Sequence, residues 1–152
     1  MRNKRILYWE KKFQKRLKKF HKNFWKRAFL KIMKKSSNLR TSLKRRSREY
    51  DTLFKISLEE IREIIFKYYG KGCTYCSCNL TVANIVCDHI QPISNGGDST
   101  PSNLQIICRR CNVRKGNLSH KDFKRVLKWI NKQPKDVSKY ILRKLSKGDN
   151  FR

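Results

Sequence analysis

Cys73-Thr74-Tyr75-Cys76 and Cys108-Arg109-Arg110-Cys111 form two C-x-x-C pairs. Each pair can set two thiolates on one ion from a tight turn, and together they complete a tetrahedral sulfur site. That site suits a structural Zn2+, because four thiolates leave no open position for water. The 31 residues between the pairs exceed the usual zinc-ribbon spacing, so something folded is expected between them. Cys78 keeps the ligand set open, since Cys73 and Cys78 offer a C-x-x-x-x-C alternative to Cys76. Cys87 reads as a small buried apolar residue. Free buried thiols or a redox pair are the blander readings, and paired cysteines in a reducing setting favour metal over both.

Between and beside the pairs stand Asp88-His89, Asn103-Leu104-Gln105 and Cys111-Asn112-Val113-Arg114-Lys115. Asp88 offers a carboxylate and Asn112 an amide carbonyl, hard oxygen donors for a Mg2+ (or Mn2+) ion. His89 titrates where a side chain can take a proton from water. An activated water, a cation and a base are what phosphodiester hydrolysis needs. Singly, each residue has a duller role: Asp-His as a turn or surface pair, Asn112 as a helix-terminal hydrogen bonder, Asn103 in a turn. Their joint placement on the two cysteine pairs reverses that judgement.

The elements that must position these groups are legible in outline. Residues 3–34 read as one basic helix with an apolar stripe of Ile6, Trp9, Phe13, Leu17, Phe20, Phe24 and Ala28. Ser36-Ser37-Asn38 reads as a break before a shorter basic helix over Leu39–Glu49, and Tyr50–Ile56 as extended or turn-like chain. Ser57-Leu58-Glu59-Glu60 has capping-box form, opening a helix that ends near Gly70. From Val82 to Ile93 the β-branched content predicts two short strands in a hairpin around Asp88-His89. Strand alternation would turn those two side chains apart, so a twist or bulge is expected there. Asn95-Gly96-Gly97-Asp98 is a loop, Leu104–Ile107 a brief apolar segment and Arg109–Lys115 a short helix. Ser119, with Asp122 three residues on, caps a helix to about residue 131. Pro134 precedes a last helix near 136–146.

Charge points to the partner. The 152 residues hold 39 Lys and Arg against 11 Asp and Glu, a net +28. A polyanion that releases counterions on binding is the natural ligand, DNA or RNA first and an anionic membrane surface second. Residues 1–50 carry 20 of the basic residues and only Glu10 and Glu49, a net +18. Arg40, Lys44, Arg45, Arg46 and Arg48 are expected to contact phosphates, as are Arg109, Arg110, Arg114 and Lys115 beside the candidate site, although a charge run is commonly just a solvated face. The stripe of 3–34 leaves four fates open: packing on the core, pairing with another copy, docking on a protein partner, or lying on a membrane. Met33 and Trp25 are assigned packing alone. No stretch approaches the ~18 apolar residues of a transmembrane segment, and no secretory signal is evident. A reducing intracellular compartment is expected, the cytoplasm or nucleus of a host if the source is viral, with a mitochondrial presequence left open.

Residues 73–116 resemble the HNH (ββα-metal) endonuclease family. The resemblance rests on Cys73-x-x-Cys76, Asp88-His89-Ile90-x-Pro92, Gly96-Gly97, Asn103-Leu104-Gln105 and Cys108-x-x-Cys111-Asn112-x-x-Lys115. It implies that His89 is the general base, that Asp88 and Asn112 bind the catalytic divalent ion, and that Asn103 braces the hairpin loop. It also implies cleavage to 5′-phosphate and 3′-hydroxyl ends. Asn112 stands where other members have His, as in many phage and mobile-element members and phage junction resolvases. Cys78 is an added thiol, and Cys87 replaces a usual aliphatic residue. The expected architecture is α+β: a small ββα-metal core with structural zinc, flanked by basic α-helices. Its parts would be a basic amphipathic helix over 1–35, a basic linker or helix over 36–56, the nuclease core over 57–118 and C-terminal helices over 119–152. The rival readings are a non-catalytic zinc-stabilised module that binds or packages nucleic acid, and a branched-DNA resolvase.

Overall fold

The computed structural model describes residues 4–16 and 22–147. Helix α1 covers Lys4–Arg16, α2 Lys22–Glu49 and α3 Leu58–Tyr68. Strand β1 (Ile85–His89) and strand β2 (Leu104–Cys108) form a two-stranded antiparallel sheet. Helices α4 (Arg109–Lys115), α5 (His120–Ile130) and α6 (Lys135–Leu145) follow. The architecture is α+β, a small sheet set among helices, with four cysteines gathered beside it.

One straight helix over 3–34 is ruled out by Phe66 of α3. The Phe66 ring lies 5.3 Å from the Phe13 ring of α1 and 5.4 Å from the Phe29 ring of α2, centroid to centroid. On a continuous helix those two positions would stand roughly 24 Å apart, beyond the reach of one ring. Both helices therefore pack on α3, and Phe13, Ala28, Phe29 and Ile32 enter the core. Leu17 and Phe20 of the expected stripe lie outside the described residues, as do the side chains of Ile6, Phe24 and Trp25.

The expected break at Ser36-Ser37-Asn38 is also corrected, because α2 runs through it to Glu49. Serine interrupts helices when its hydroxyl competes for nearby backbone, but it is tolerated when that hydroxyl bonds back one turn. Here Ser36 and Ser37 both donate to the Met33 carbonyl, at 2.7 and 3.3 Å. Ser36 is fully buried and accepts a bond from Arg62 Nε of α3.

Helix α3 opens as its capping box requires. Glu60 N–H donates to Ser57 Oγ at 3.1 Å and Ser57 N–H donates to Glu60 Oε2 at 2.8 Å. Its buried face is Ile61, Ile65 and Phe66. Helix α5 likewise starts at Ser119, whose Oγ accepts from Asp122 N–H at 3.1 Å.

The hairpin is wider than the sequence suggests. The expected second strand within 82–93 is replaced by Leu104–Cys108, paired one for one from Ile85↔Cys108 to His89↔Leu104. Local β propensity cannot choose between partners so separated in sequence. Two 3-10 turns, Ile93–Asn95 and Pro101–Asn103, lie in the connecting loop. Gly97 is required in that loop, since a Cβ there would fall 2.0 Å from the Gln91 carbonyl oxygen. No bulge interrupts the ladder, so Asp88 and His89 leave it on opposite faces.

Candidate metal-dependent active site

The sulfur atoms of Cys73, Cys76, Cys108 and Cys111 all lie within 4.8 Å of one another. Cys76 Sγ and Cys108 Sγ are 3.7 Å apart, close to the edge of about 3.8 Å that a tetrahedron of ~2.3 Å Zn–S bonds requires. The four cysteines can therefore hold a tetrahedral ion such as Zn2+. Three are buried and Cys76 is half-buried. A hydrogen bond from the Cys111 thiol holds Cys73 down to about 4, while Cys111 itself is held up. Four adjacent thiolates cannot all ionise without a cation to compensate them. Cys78 is half-buried beside Cys76 and Cys108 but is not among the clustered four. Cys87 packs against the core, and burial pushes its thiol up to about 12.

The cluster fixes α4 to the sheet. Cys108 ends β2 and caps α4, its sulfur accepting from Cys111 N–H at 3.4 Å, while Cys73 Sγ accepts from Cys108 N–H. A seven-residue helix is too short to stand alone in water, so its position depends on this anchorage.

Asp88 faces α4. Its Oδ1 accepts from Lys115 Nζ at 3.2 Å, and its Oδ2 accepts from Gln105 Nε2 at 2.9 Å. Burial raises the carboxyl above its usual value, with Lys115 and Gln105 pulling it back. Gln105 Nε2 also donates to the Tyr75 hydroxyl, which lies 2.8 Å from His120 Nδ1. Lys115 was expected to meet phosphate, and that expectation is corrected. Its side chain is 1% exposed and its ammonium is engaged by Asp88 and by the His89 carbonyl.

His89, at the end of β1, turns the other way. Its Nε2 is 2.9 Å from Ser99 Oγ, which is 2.7 Å from Ser47 Oγ of α2. Burial, aided by the positive Arg46 and Lys115, pushes the imidazole down to about 4 and leaves it neutral at pH 7. Asn103 ties the loop behind it: Nδ2 donates to the Gln91 and Asp98 carbonyls, and Oδ1 accepts from Gln91 N–H at 2.8 Å. Asn112 sits one turn before Lys115 on α4, on the same side of the helix, and its amide has no hydrogen bond among the described residues.

Of the basic residues, Lys44, Arg45 and Arg48 are exposed along α2, Arg45 pairing with Glu49. Arg40 lies over the Phe54 ring, and Arg46 is near enough to act on both Asp88 and His89. Arg109 and Arg110 are exposed at the start of α4, and Arg110 is near enough to the Cys76 sulfur to be raised by it. Arg114 donates to Ser146 Oγ at 2.7 Å, tying α4 to the segment after α6. Sequence reasoning gave no role to Ser47, Ser99, Tyr75 or His120. No local pattern marks them, because each bond spans ten residues or more.

Residues 73–118 match the family model described as HNH endonuclease. Over 46 residues, 30% of this chain, the sequence is 44% identical to the CRISPR-associated endonuclease Cas9 of Corynebacterium diphtheriae. The chain spans only 4% of that protein's length. No solved structure matches. With its paired cysteines, its Asp88-His89 strand and its Asn112 helix, the segment 73–118 is a domain of the HNH endonuclease family.

Proposed function

We propose that the chain is a metal-dependent HNH endonuclease that hydrolyses DNA phosphodiester bonds, with His89 as general base. The observation that carries this reading is one arrangement: a neutral, buried imidazole follows a carboxylate on a strand that four clustered sulfurs tie to the helix of Asn112.

His89 presents a basic ring nitrogen to water and takes its proton as the oxygen attacks phosphorus. Burial and neighbouring positive charge keep that nitrogen unprotonated at neutral pH. Asp88 and Asn112 are the oxygen donors that would hold Mg2+ or Mn2+, which when bound relieves the charge on phosphorus oxygens and on the departing 3′ oxygen. They fit such an ion because Asp88 keeps lone pairs beyond those given to Lys115 and Gln105, and the Asn112 amide is uncommitted among the described residues. Asn103 holds the loop after β1 and so orients His89. Zn2+ on Cys73, Cys76, Cys108 and Cys111 would serve the scaffold alone. Arg40, Lys44, Arg45, Arg46 and Arg48 on α2, with Arg109, Arg110 and Arg114 on α4, hold the phosphate backbone. The products carry 5′-phosphate and 3′-hydroxyl ends.

The test is cleavage of supercoiled plasmid with Mg2+ and with EDTA. The native protein cuts only with the metal. His89→Ala loses activity by orders of magnitude while zinc content and DNA affinity persist. Full activity in that variant rejects the base assignment, and no cleavage by the native protein leaves the non-catalytic zinc module as the better reading.

A further inference from the structure

We infer that Ser99, held by Ser47 of α2, is a positioning residue that fixes which ring nitrogen of His89 carries the proton; this rests on His89 being the base. The three groups form one chain: His89 Nε2 to Ser99 Oγ at 2.9 Å, and Ser99 Oγ to Ser47 Oγ at 2.7 Å. All three residues are buried, with exposures of 2%, 0% and 2% respectively. The bond from Nε2 is made in a low-dielectric interior, so the direction in which each proton points has consequences for the ring.

A neutral imidazole has one donor and one acceptor nitrogen. Acting as a base requires the lone pair on Nδ1, so Nε2 must hold the hydrogen and donate it to Ser99 Oγ. Ser99 then sends its own proton to Ser47. Ser47 can accept it, because its hydroxyl oxygen carries two lone pairs and lies within hydrogen-bond distance. The reverse direction would put the proton on Nδ1 and leave no base. As His89 takes a proton from water, its Nε2–H bond to Ser99 becomes a bond from a cation and strengthens.

Ser99 is itself rigidly placed. Its N–H donates to the Leu53 carbonyl and its carbonyl accepts from Lys55 N–H, so the turn after α2 grips it on both sides. Asp98 Oδ1 accepts from Leu53 N–H as well. Helix α2 lies outside the matched residues 73–118, so the basic helix contributes to the chemistry as well as to the charge.

The 152-residue, zinc-loaded protein is compared with Ser99→Ala and Ser47→Ala, reading kcat and KM for plasmid cleavage separately and the 15N resonances of the His89 ring. In the native protein the ring shows Nε2 protonated. Ser99→Ala lowers kcat about 10- to 100-fold, as loss of a hydrogen bond to a charged group implies, with KM within about twofold. Ser47→Ala frees the Ser99 proton to turn back on Nε2, so the ring shows mixed tautomers and kcat falls by a smaller factor. Native kcat with an unchanged Nε2–H resonance in Ser99→Ala overturns the inference. Should Ser99→Ala lose its zinc or its circular dichroism, an unchanged ring and rate in Ser47→Ala overturn it equally. A native protein that fails to cut plasmid defeats the endonuclease reading, and a ring then found with the proton on Nδ1 defeats this inference separately.

Discussion

Lys115 Nζ lies 3.2 Å from Asp88 Oδ1 and 2.9 Å from the carbonyl oxygen of His89, so one buried ammonium joins the two residues whose side chains leave the strand on opposite faces. It also joins them to α4, three residues beyond Asn112. Breaking a buried ion pair leaves an uncompensated charge, whereas a divalent ion on the same carboxylate would compensate it.

Lys115→Met is therefore expected to cost about 3–5 kcal/mol of stability without divalent cation. Added Mg2+ should recover more stability in the variant than it adds to the native protein, since the bare carboxylate gains more from a cation. Thermal melts with and without Mg2+ check this. Equal Mg2+ effects in both proteins would remove Asp88 from the proposed ion site.

Zinc removal should disassemble the centre. Helix α4 is a single short stretch capped by a cysteine sulfur, and Cys73, Cys108 and Cys111 lie in the core itself. Stripping the ion with a strong chelator is expected to unfold residues 70–115, seen as loss of ellipticity and of amide protection there. Helices α1, α2 and α3 share the Phe66 contacts and should keep part of theirs. Unchanged ellipticity after metal loss would refute a structural ion.

What was legible in the sequence is what is decided locally. The capping box at Ser57 and the side-chain cap at Ser119 are each complete within four residues, and α4 runs from its cap at Cys108 to Gly116. What escaped was decided at a distance. β2 is chosen as partner of β1 by a pairing across the long loop, and Ser36 stays helical because its hydroxyl bonds back to Met33. Ser47 and Ser99 meet across 52 residues. Lysine is normally a surface cation, and the buried Asp88 carboxylate and His89 carbonyl beside Lys115 explain the exception.

Asn103→Ala should separate orientation from stability. Its amide makes three hydrogen bonds to the backbone of the loop, to Gln91 N–H and to the Gln91 and Asp98 carbonyls. Their loss is expected to cost about 2–4 kcal/mol if each contributes about 1 kcal/mol and the part-buried Asp98 carbonyl is left unmatched. Plasmid cleavage should fall further than that stability loss explains, because the same bonds steer the chain beyond His89. A variant that is destabilised yet cuts at the native rate well below its melting temperature would confine Asn103 to folding.

The final prediction concerns acid. Folded His89 is pushed down to about 4 by burial and by Arg46 and Lys115, against a value of 6.5 for the free side chain. Between those two values the unfolded chain binds a proton that the folded chain refuses, so acid favours unfolding. This contribution is fully present above pH 6.5 and is lost as the pH falls toward 4, and it amounts to about 3 kcal/mol across the window. The cysteine cluster and Asp88 respond to acid too, and comparison with His89→Gln cancels what the two proteins share. Denaturant melts at several pH values should show native stability falling more steeply than that of His89→Gln between pH 6.5 and 4, and in parallel with it above pH 7. Parallel curves throughout would mean that the imidazole titrates as an exposed ring, and a neutral base at the end of β1 would lose its physical support.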